Sequence, residues 1–123
     1  MIFGTGIDII EVERIHTAIK RWGDDFLHHV FTKNEIAYAR KNRYPSEHFA
    51  ARFAAKEAVL KAIGDNAHIQ WKDIEIQNDK FGRPICILHK KSFKHTILIS
   101  ISHTKNYAAA SAIITSAKNT RRI

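Results

Sequence analysis

Residues 52–61, RFAAKEAVLK, combine the pattern of an amphipathic helix with an unusual placement of charge. At about 100° per residue, the apolar side chains around this segment share one stripe, formed by Phe49, Phe53, Leu60 and Ile63 with Val59 at its edge. Lys56 lies inside that stripe, while Glu57 and Lys61 lie one turn apart on its flank. The sequence therefore predicts a helix here, and the three charged groups require an explanation.

The composition indicates one basic domain, spanning residues 1–123. The chain has 20 Lys and Arg against 12 Asp and Glu, a net charge of +8. Its surface should therefore attract anions such as nucleic acid, acidic proteins or phosphorylated small molecules. Cys86 is the only cysteine, which excludes a disulfide framework.

The N-terminal residues, MIFGTGIDII, lack the basic segment and the small-residue cleavage site of a signal peptide. No apolar run approaches the roughly 20 residues that a membrane-spanning helix needs. We therefore expect a soluble, cytoplasmic protein without a membrane span.

The first half of the chain predicts one strand followed by helices. Alternation over residues 2–10 predicts a strand, and helical spacing follows over residues 11–22. Gly23 should end that helix, and Asp24 or Asp25 can cap a second, short helix through Val30. TKNE at residues 32–35 is a capping box that opens a helix to about Lys41. Ser46 is expected to cap the long helix, which ends at Gly64.

The second half changes to the period of strands. Strands are predicted over residues 71–77, 84–88, 97–102 and 107–114, with turns that join them as two hairpins. The predicted fold class is α+β: an N-terminal strand and helices packed with an antiparallel sheet of two hairpins.

Two interpretations of Asp8 are open from the residues alone. DIIE, residues 8–11, fits the form of a helix start, so Asp8 would cap a helix that begins near Ile9. Alternatively, Gly4 and Gly6 share the strand face of Asp8 and leave space beside its carboxylate for a metal ion or a phosphate-bearing ligand.

The other charged positions also have structural alternatives. Glu57 and Lys61 have the spacing of an ordinary helix-stabilising pair. Lys56 must either extend its ammonium to solvent or find an anion. His103 follows Ile101 by two residues and so points to the same, inner side of its strand. Because Mg²⁺ is commonly held by one or two carboxylates plus substrate phosphates, Asp8 and Glu57 permit magnesium-dependent phosphate chemistry.

Three stretches together resemble the holo-acyl-carrier-protein synthases, the short class of 4'-phosphopantetheinyl transferases. These stretches are GTGIDIIEVERI (residues 4–15), RFAAKEAVLKAIG (52–64) and SISHTKNYAAASAII (100–114). They occur in the order found in the family and span nearly the whole chain. The resemblance implies the 4'-phosphopantetheinyl transferase fold. It also implies transfer of phosphopantetheine from coenzyme A to a serine of acyl carrier protein, which releases 3',5'-ADP and supports fatty acid biosynthesis.

The resemblance also implies roles for residues at the matching positions. Asp8 and Glu57 would bind Mg²⁺, and Glu57 and Lys61 would be catalytic. The proton acceptor would be Glu57 or a metal-bound water. The residues expected to contact coenzyme A are Lys56, Lys61, Gly64, Arg43, Pro84, His103 and Thr104, with Arg43 and Lys41 as candidates for its 3'-phosphate.

The expected partners follow from the same resemblance. The family implies a homotrimer with active sites between protomers. The acidic carrier protein should dock on a basic surface after Asp8, formed by Arg14, Lys20, Arg21 and the apolar Phe26. Nucleic acid is not an expected partner. The competing hypotheses are a small basic nucleic-acid-binding protein, which the net charge permits, and a magnesium-dependent phosphoesterase, which would share the two carboxylates.

Overall fold

The structure, a computed structural model, describes residues 1–64 and 68–116. Strand β1 (Ile2–Glu11) is followed by four helices and then by four strands. The helices are α1 (Val12–Trp22), α2 (Asp24–Val30), α3 (Lys33–Arg40) and α4 (Pro45–Ile63). A 3₁₀ turn (Trp71–Asp73) precedes β2 (Ile74–Asn78), β3 (Pro84–Leu88), β4 (Thr96–His103) and β5 (Tyr107–Thr115). No helix in the described ranges is long and apolar enough to cross a membrane.

The strands form two antiparallel units. One is a three-stranded sheet of order β1-β5-β4, and the other is the β2-β3 hairpin. The two predicted hairpins are therefore present, and the first strand joins the second hairpin by pairing with β5. The observed architecture confirms the predicted α+β class.

Two local predictions about helix and strand starts are wrong. Ser46 does not cap α4, because Pro45 already occupies the first helical turn and Tyr44 is the capping position. The Ser46 hydroxyl instead forms a hydrogen bond of 3.0 Å with His16 Nδ1. The strand predicted from Trp71 begins only at Ile74, after the 3₁₀ turn. By contrast, Thr32 and Glu35 form the predicted capping box.

Helix α4 packs unusually close to the sheet, because small residues line both surfaces. A Cβ atom at Gly4 would overlap the carbonyl oxygen of Ala62, and one at Gly6 would overlap that of Ala58. The inner face of the neighbouring strand β5 is also largely alanine: Ala108, Ala110 and Ala112. The prediction of open space beside Asp8 is therefore wrong, because the helix backbone fills the glycine face of β1.

Among residues 1–64 and 68–116, no element covers the opposite face of the three-stranded sheet. Its exposed side chains include a group of large apolar residues from all three strands: Phe3, Ile7, Ile9, Leu98 and Ile113. Exposed apolar patches of this kind commonly mark an interface with another protein.

We predict that Gly6→Ala destabilises the protein by about 1–3 kcal/mol or more, because neither backbone can move away without opening the core. Thr5→Ala is the matched control, since Thr5 is exposed on the other face of the same strand. Chemical denaturation measures both variants. Equal stability of the two would contradict the close approach of α4 to β1.

Candidate functional site

The first candidate site lies where β1 meets the flank of α4, and we call Asp8, Glu57 and Lys61 the acidic site. The Lys61 ammonium donates hydrogen bonds to Asp8 Oδ1 at 3.2 Å and to the Ile7 carbonyl at 3.0 Å. The Asp8 side chain is only 14% exposed, whereas that of Lys61 is 51% exposed. Asp8 does not cap a helix, because α1 begins four residues later, at Val12.

The two carboxylates of the acidic site influence each other. Burial raises the pKa of the Glu57 carboxyl, and the Asp8 carboxylate raises it further, while Lys61 lowers it. Lys61 on α4 forms an ion pair with Asp8 on β1. The unfavourable proximity of Glu57 and Asp8 makes the site suitable for a further cation.

The donor set of the acidic site fits a hard cation that has other ligands. Carboxylate oxygens are the ligands preferred by Mg²⁺, which is usually held by one or two of them together with water and phosphate oxygens. Within the described residues, no cluster of three or more His, Cys, Asp or Glu side chains could hold a metal ion alone. Asp8 and Glu57 therefore offer two carboxylate groups, fewer than a metal site built from protein side chains alone would need.

Lys56, which was expected to contact coenzyme A, lies in the protein core instead. The Lys56 side chain is completely buried, and its ammonium donates to Glu35 Oε1 at 2.6 Å and to the Val30 carbonyl at 2.8 Å. An ammonium in an apolar stripe needs such partners. The Lys56 ammonium is therefore held inside the core by these two hydrogen bonds, and it cannot reach a ligand at the surface.

A second polar site lies near the start of α4, in a cavity of about 170 Å³ that we call the Arg52 pocket. Two of the residues expected to contact coenzyme A, Pro84 and His103, line it. The remaining lining residues are Tyr38, His48, Ala51, Arg52, Asn78, Gly82 and Ile101. His103 lies 3.5 Å from a carboxylate oxygen of Glu47, measured from Nδ1.

The sequence analysis missed Arg52, which is the most distinctive group in this pocket. It is 95% buried, with its guanidinium over the Tyr38 ring and one nitrogen 3.5 Å from Asn78 Oδ1. Its buried Nε has no hydrogen-bond partner within the described residues. Burial, His103 and Arg52 together lower the pKa of His48, which indicates that the pocket is electropositive. A buried guanidinium with a free donor suits an anionic ligand.

Other predicted contact residues lie outside the Arg52 pocket. The Thr104 hydroxyl accepts hydrogen bonds from the backbone of Asn106 and Tyr107, so it organises the turn between β4 and β5. Gly64 ends α4 with a φ of 82°, a conformation that favours glycine. Arg43 is exposed, and its guanidinium lies 5.4 Å from the centre of the Tyr44 ring.

The acidic site and the Arg52 pocket lie on different faces of α4. Arg52 and Glu57 are five positions apart, and five steps of a helix rotate a side chain by about 140° from its starting direction. The helix itself therefore separates the two sites within one chain.

The predicted docking residues occupy the first two helices. Arg14, Lys20 and Arg21 are exposed, as the helical spacing predicts. Phe26 is half-buried, and its ring packs edge-on against Phe31, with 6.1 Å between the ring centres. The basic side chains are thus free to contact another protein, whereas Phe26 also supports the core.

Known proteins resemble this chain over nearly its whole length. A family model described as the 4'-phosphopantetheinyl transferase superfamily matches residues 4–112. The holo-[acyl-carrier-protein] synthases of Koribacter versatilis and Protochlamydia amoebophila are 44% and 47% identical to it. These two matches cover 93% and 92% of this chain and 98% of each relative.

Solved structures of similar proteins confirm the predicted fold. The Bacillus anthracis holo-(acyl-carrier-protein) synthase in complex with CoA (3',5'-ADP) matches with a TM-score of 0.83 and 40% identity. That match covers 95% of this chain and 99% of the other. The Helicobacter pylori synthase in complex with coenzyme A has a TM-score of 0.80 and 30% identity, and covers 90% of this chain and 99% of the other.

We predict that Glu57→Gln stabilises the metal-free protein at pH 7. The pKa of the Glu57 carboxyl is higher in the folded protein than its usual value of 4.5. The free energy of unfolding of the wild type therefore falls as the pH rises above 4.5. The amide has no such dependence, so the advantage of the variant should shrink as the pH falls to 4. Thermal unfolding at both pH values measures it, with Glu13→Gln on the exposed side of α1 as control. A variant that is less stable at pH 7 would contradict the strained carboxylate pair.

Proposed function

The chain belongs to the 4'-phosphopantetheinyl transferase superfamily, and we propose that it converts apo-acyl carrier protein to the holo form. It transfers 4'-phosphopantetheine from coenzyme A to a carrier-protein serine and releases 3',5'-ADP. The named activity of relatives at 44% and 47% identity, which match over nearly their whole length, carries this proposal. The solved relatives in complex with coenzyme A support the donor substrate. No comparison favours the nucleic-acid-binding or phosphoesterase alternatives.

The acidic site is the proposed place of the chemistry. Asp8 and Glu57 would hold Mg²⁺, and their oxygen donors and mutual repulsion support this assignment. When bound, the ion supplies positive charge beside the diphosphate of coenzyme A. Lys61 keeps its half-exposed ammonium next to Asp8, where it can neutralise charge that develops on the departing phosphate.

The reaction is a displacement at the β-phosphorus of coenzyme A. The serine oxygen forms a bond to that phosphorus, and the bond to the bridging oxygen breaks, so that 3',5'-ADP departs with the electron pair. The serine proton must move to a base. We propose the Glu57 carboxylate for this role, since burial and Asp8 both raise its pKa and a more basic carboxylate is the better proton acceptor.

We place the nucleotide end of coenzyme A in the Arg52 pocket. The free Nε donor of Arg52 and the electropositive surroundings of His48 suit the 3'-phosphate. Pro84 and His103, both expected from the family motifs, line the same cavity. Arg43 and Lys41 lie outside this cavity, so Arg52 is the stronger candidate for the 3'-phosphate.

The complete site requires two copies of the chain, in our proposal. One coenzyme A molecule cannot pass through α4 to join the acidic site and the Arg52 pocket of the same protomer. A second copy can bring its own Arg52 pocket beside the first copy's acidic site. The uncovered apolar face of the β1-β5-β4 sheet supports such association, and the family resemblance implies a homotrimer.

The exposed basic side chains of α1 are the proposed docking surface for the acidic carrier protein. Arg14 and Arg21 lie seven residues apart, so they project from nearly the same side of the helix, with Lys20 beside them. β1 leads from Asp8 directly into α1, and this short connection supports a docking surface near the acidic site. We further propose that the enzyme acts in the cytoplasm and serves fatty acid biosynthesis.

The test is direct detection of 3',5'-ADP and of the mass increase on the carrier-protein serine. We predict that Asp8→Asn and Glu57→Gln each reduce the rate by about a hundredfold or more, the upper range seen even for groups that only support metal ligands. Glu13→Gln is the surface control. A wild type that makes no 3',5'-ADP would overturn the function, and near-normal rates in both variants would overturn the magnesium site.

A further inference from the structure

Lys56 and Glu35 form an ion pair in the centre of the protein, with both side chains 0% exposed. The distance between Lys56 Nζ and Glu35 Oε1 is 2.6 Å, and the ammonium also donates to the Val30 carbonyl at 2.8 Å. Burial lowers the pKa of Lys56, and Glu35 acts in the opposite direction. Two ionisable groups are thus held away from solvent at a position where an apolar side chain would normally lie.

The Glu35 carboxylate connects several elements of the fold. Oε1 accepts hydrogen bonds from Lys56 and from the Thr32 backbone at 2.9 Å, and Oε2 accepts one from the Ile76 backbone at 2.7 Å. A carboxylate can satisfy all three because it only accepts hydrogen bonds. This one group therefore fixes α4 relative to the start of α3 and strand β2, and the second bond of Lys56 adds the end of α2.

The ion pair holds α4 from the side away from β1. Lys56 and Ala58 are two positions apart, so their side chains diverge by about 160° around the helix. Ala58 presses against the glycine face of β1, while Lys56 is tied to Glu35. Glu57 lies between them in sequence and one turn before Lys61, whose ammonium contacts Asp8 on β1.

We propose that Lys56 and Glu35 are positioning residues, which set the rotation of α4 so that Glu57 meets Asp8 in the geometry the acidic site needs. This inference rests on the proposed function, since it assigns Glu57 to the reaction. Lys56 acts through its neighbour and does not touch the substrate.

The directional hydrogen bonds of the ion pair explain why two ionisable groups are buried here better than a contribution to stability does. Apolar residues of similar volume commonly replace a buried ion pair without loss of stability. Apolar side chains do not fix the rotation of a helix about its axis, because apolar contacts have no preferred direction. The two hydrogen bonds from the Lys56 ammonium, in contrast, define both the height of α4 and its rotation. The position directly before Glu57 is where such control matters most.

The experiment compares Lys56→Met with the double variant Lys56→Met/Glu35→Gln. The double variant removes both charges, so it leaves no uncompensated ion in the core if the single variant does not fold. Thermal unfolding establishes folding, and its shift on addition of MgCl₂ measures Mg²⁺ binding without turnover. Initial rates give the Mg²⁺ concentration for half-maximal activity, kcat, and KM for the carrier protein. Val59→Ala is the control, because it removes buried volume from the same helix and leaves the ion pair intact.

We expect the folded variants to need about ten- to a hundredfold more Mg²⁺ for half-maximal rate, the range found when support for metal ligands is lost. KM for the carrier protein should stay unchanged. The Val59→Ala control should keep the wild-type Mg²⁺ requirement, even though it is less stable.

Two results would overturn the inference. Folded variants with the wild-type Mg²⁺ requirement and kcat would show that the ion pair does not position Glu57. Failure of both variants to fold would show that the pair holds the fold itself. A wild type without Mg²⁺-dependent production of 3',5'-ADP would instead overturn the proposed function, and this inference with it.

Discussion

The contact between the backbone of α4 and the glycine face of β1 is the constraint on which the rest of the structure depends. Gly4 and Gly6 have no side chains, so the carbonyl groups of Ala58 and Ala62 rest directly against the strand. This close approach fixes the height of the helix over the sheet. It places Glu57 and Lys61 at the sheet edge, beside the carboxylate that β1 supplies two residues after Gly6. Larger side chains in place of Gly4 and Gly6 would move α4 away from β1, and so separate Glu57 and Lys61 from Asp8.

Helix α4 also separates the acidic site from the Arg52 pocket. Its Glu57 side belongs to the acidic site, its Arg52 side to the electropositive pocket, and its Lys56 to the core. Three side chains of one helix thus meet the Asp8 carboxylate, the pocket lined by His103 and Pro84, and the Glu35 carboxylate. Under the proposed function, a coenzyme that carries both a diphosphate and a 3'-phosphate would reach the acidic site and the Arg52 pocket only if different copies of the chain present them.

The sequence predicts the elements well, because their signals are local. Alternation and helical spacing locate most strands and helices, and the Thr32–Glu35 capping box is visible within four residues. The predictions that are wrong are those in which one sequence pattern is compatible with two different structures. The glycines near Asp8 indicate either space or close packing, and only the position of α4 decides between them. Ser46 could cap a helix, but Pro45 starts the helix first.

The site was less predictable, because its partners are distant in the sequence. Periodicity shows that Lys56 faces inward, but its anion, Glu35, lies 21 residues earlier in another helix. Arg52 precedes Lys56 by one helical turn and shares its inward side, a signal that could have identified a second buried cation. Its relation to His103 and Pro84 depends on how two strands meet the start of α4, which no local pattern reveals.

The most direct test of the account asks whether one active site uses two copies of the chain. Glu57→Gln and Arg52→Met variants with different affinity tags are co-expressed, and oligomers that contain both are purified and assayed at low coenzyme A concentration. Each mixed trimer would contain one site with both Glu57 and Arg52 intact, so the account predicts about one third of the wild-type rate. Activity no higher than that of either variant alone would contradict it.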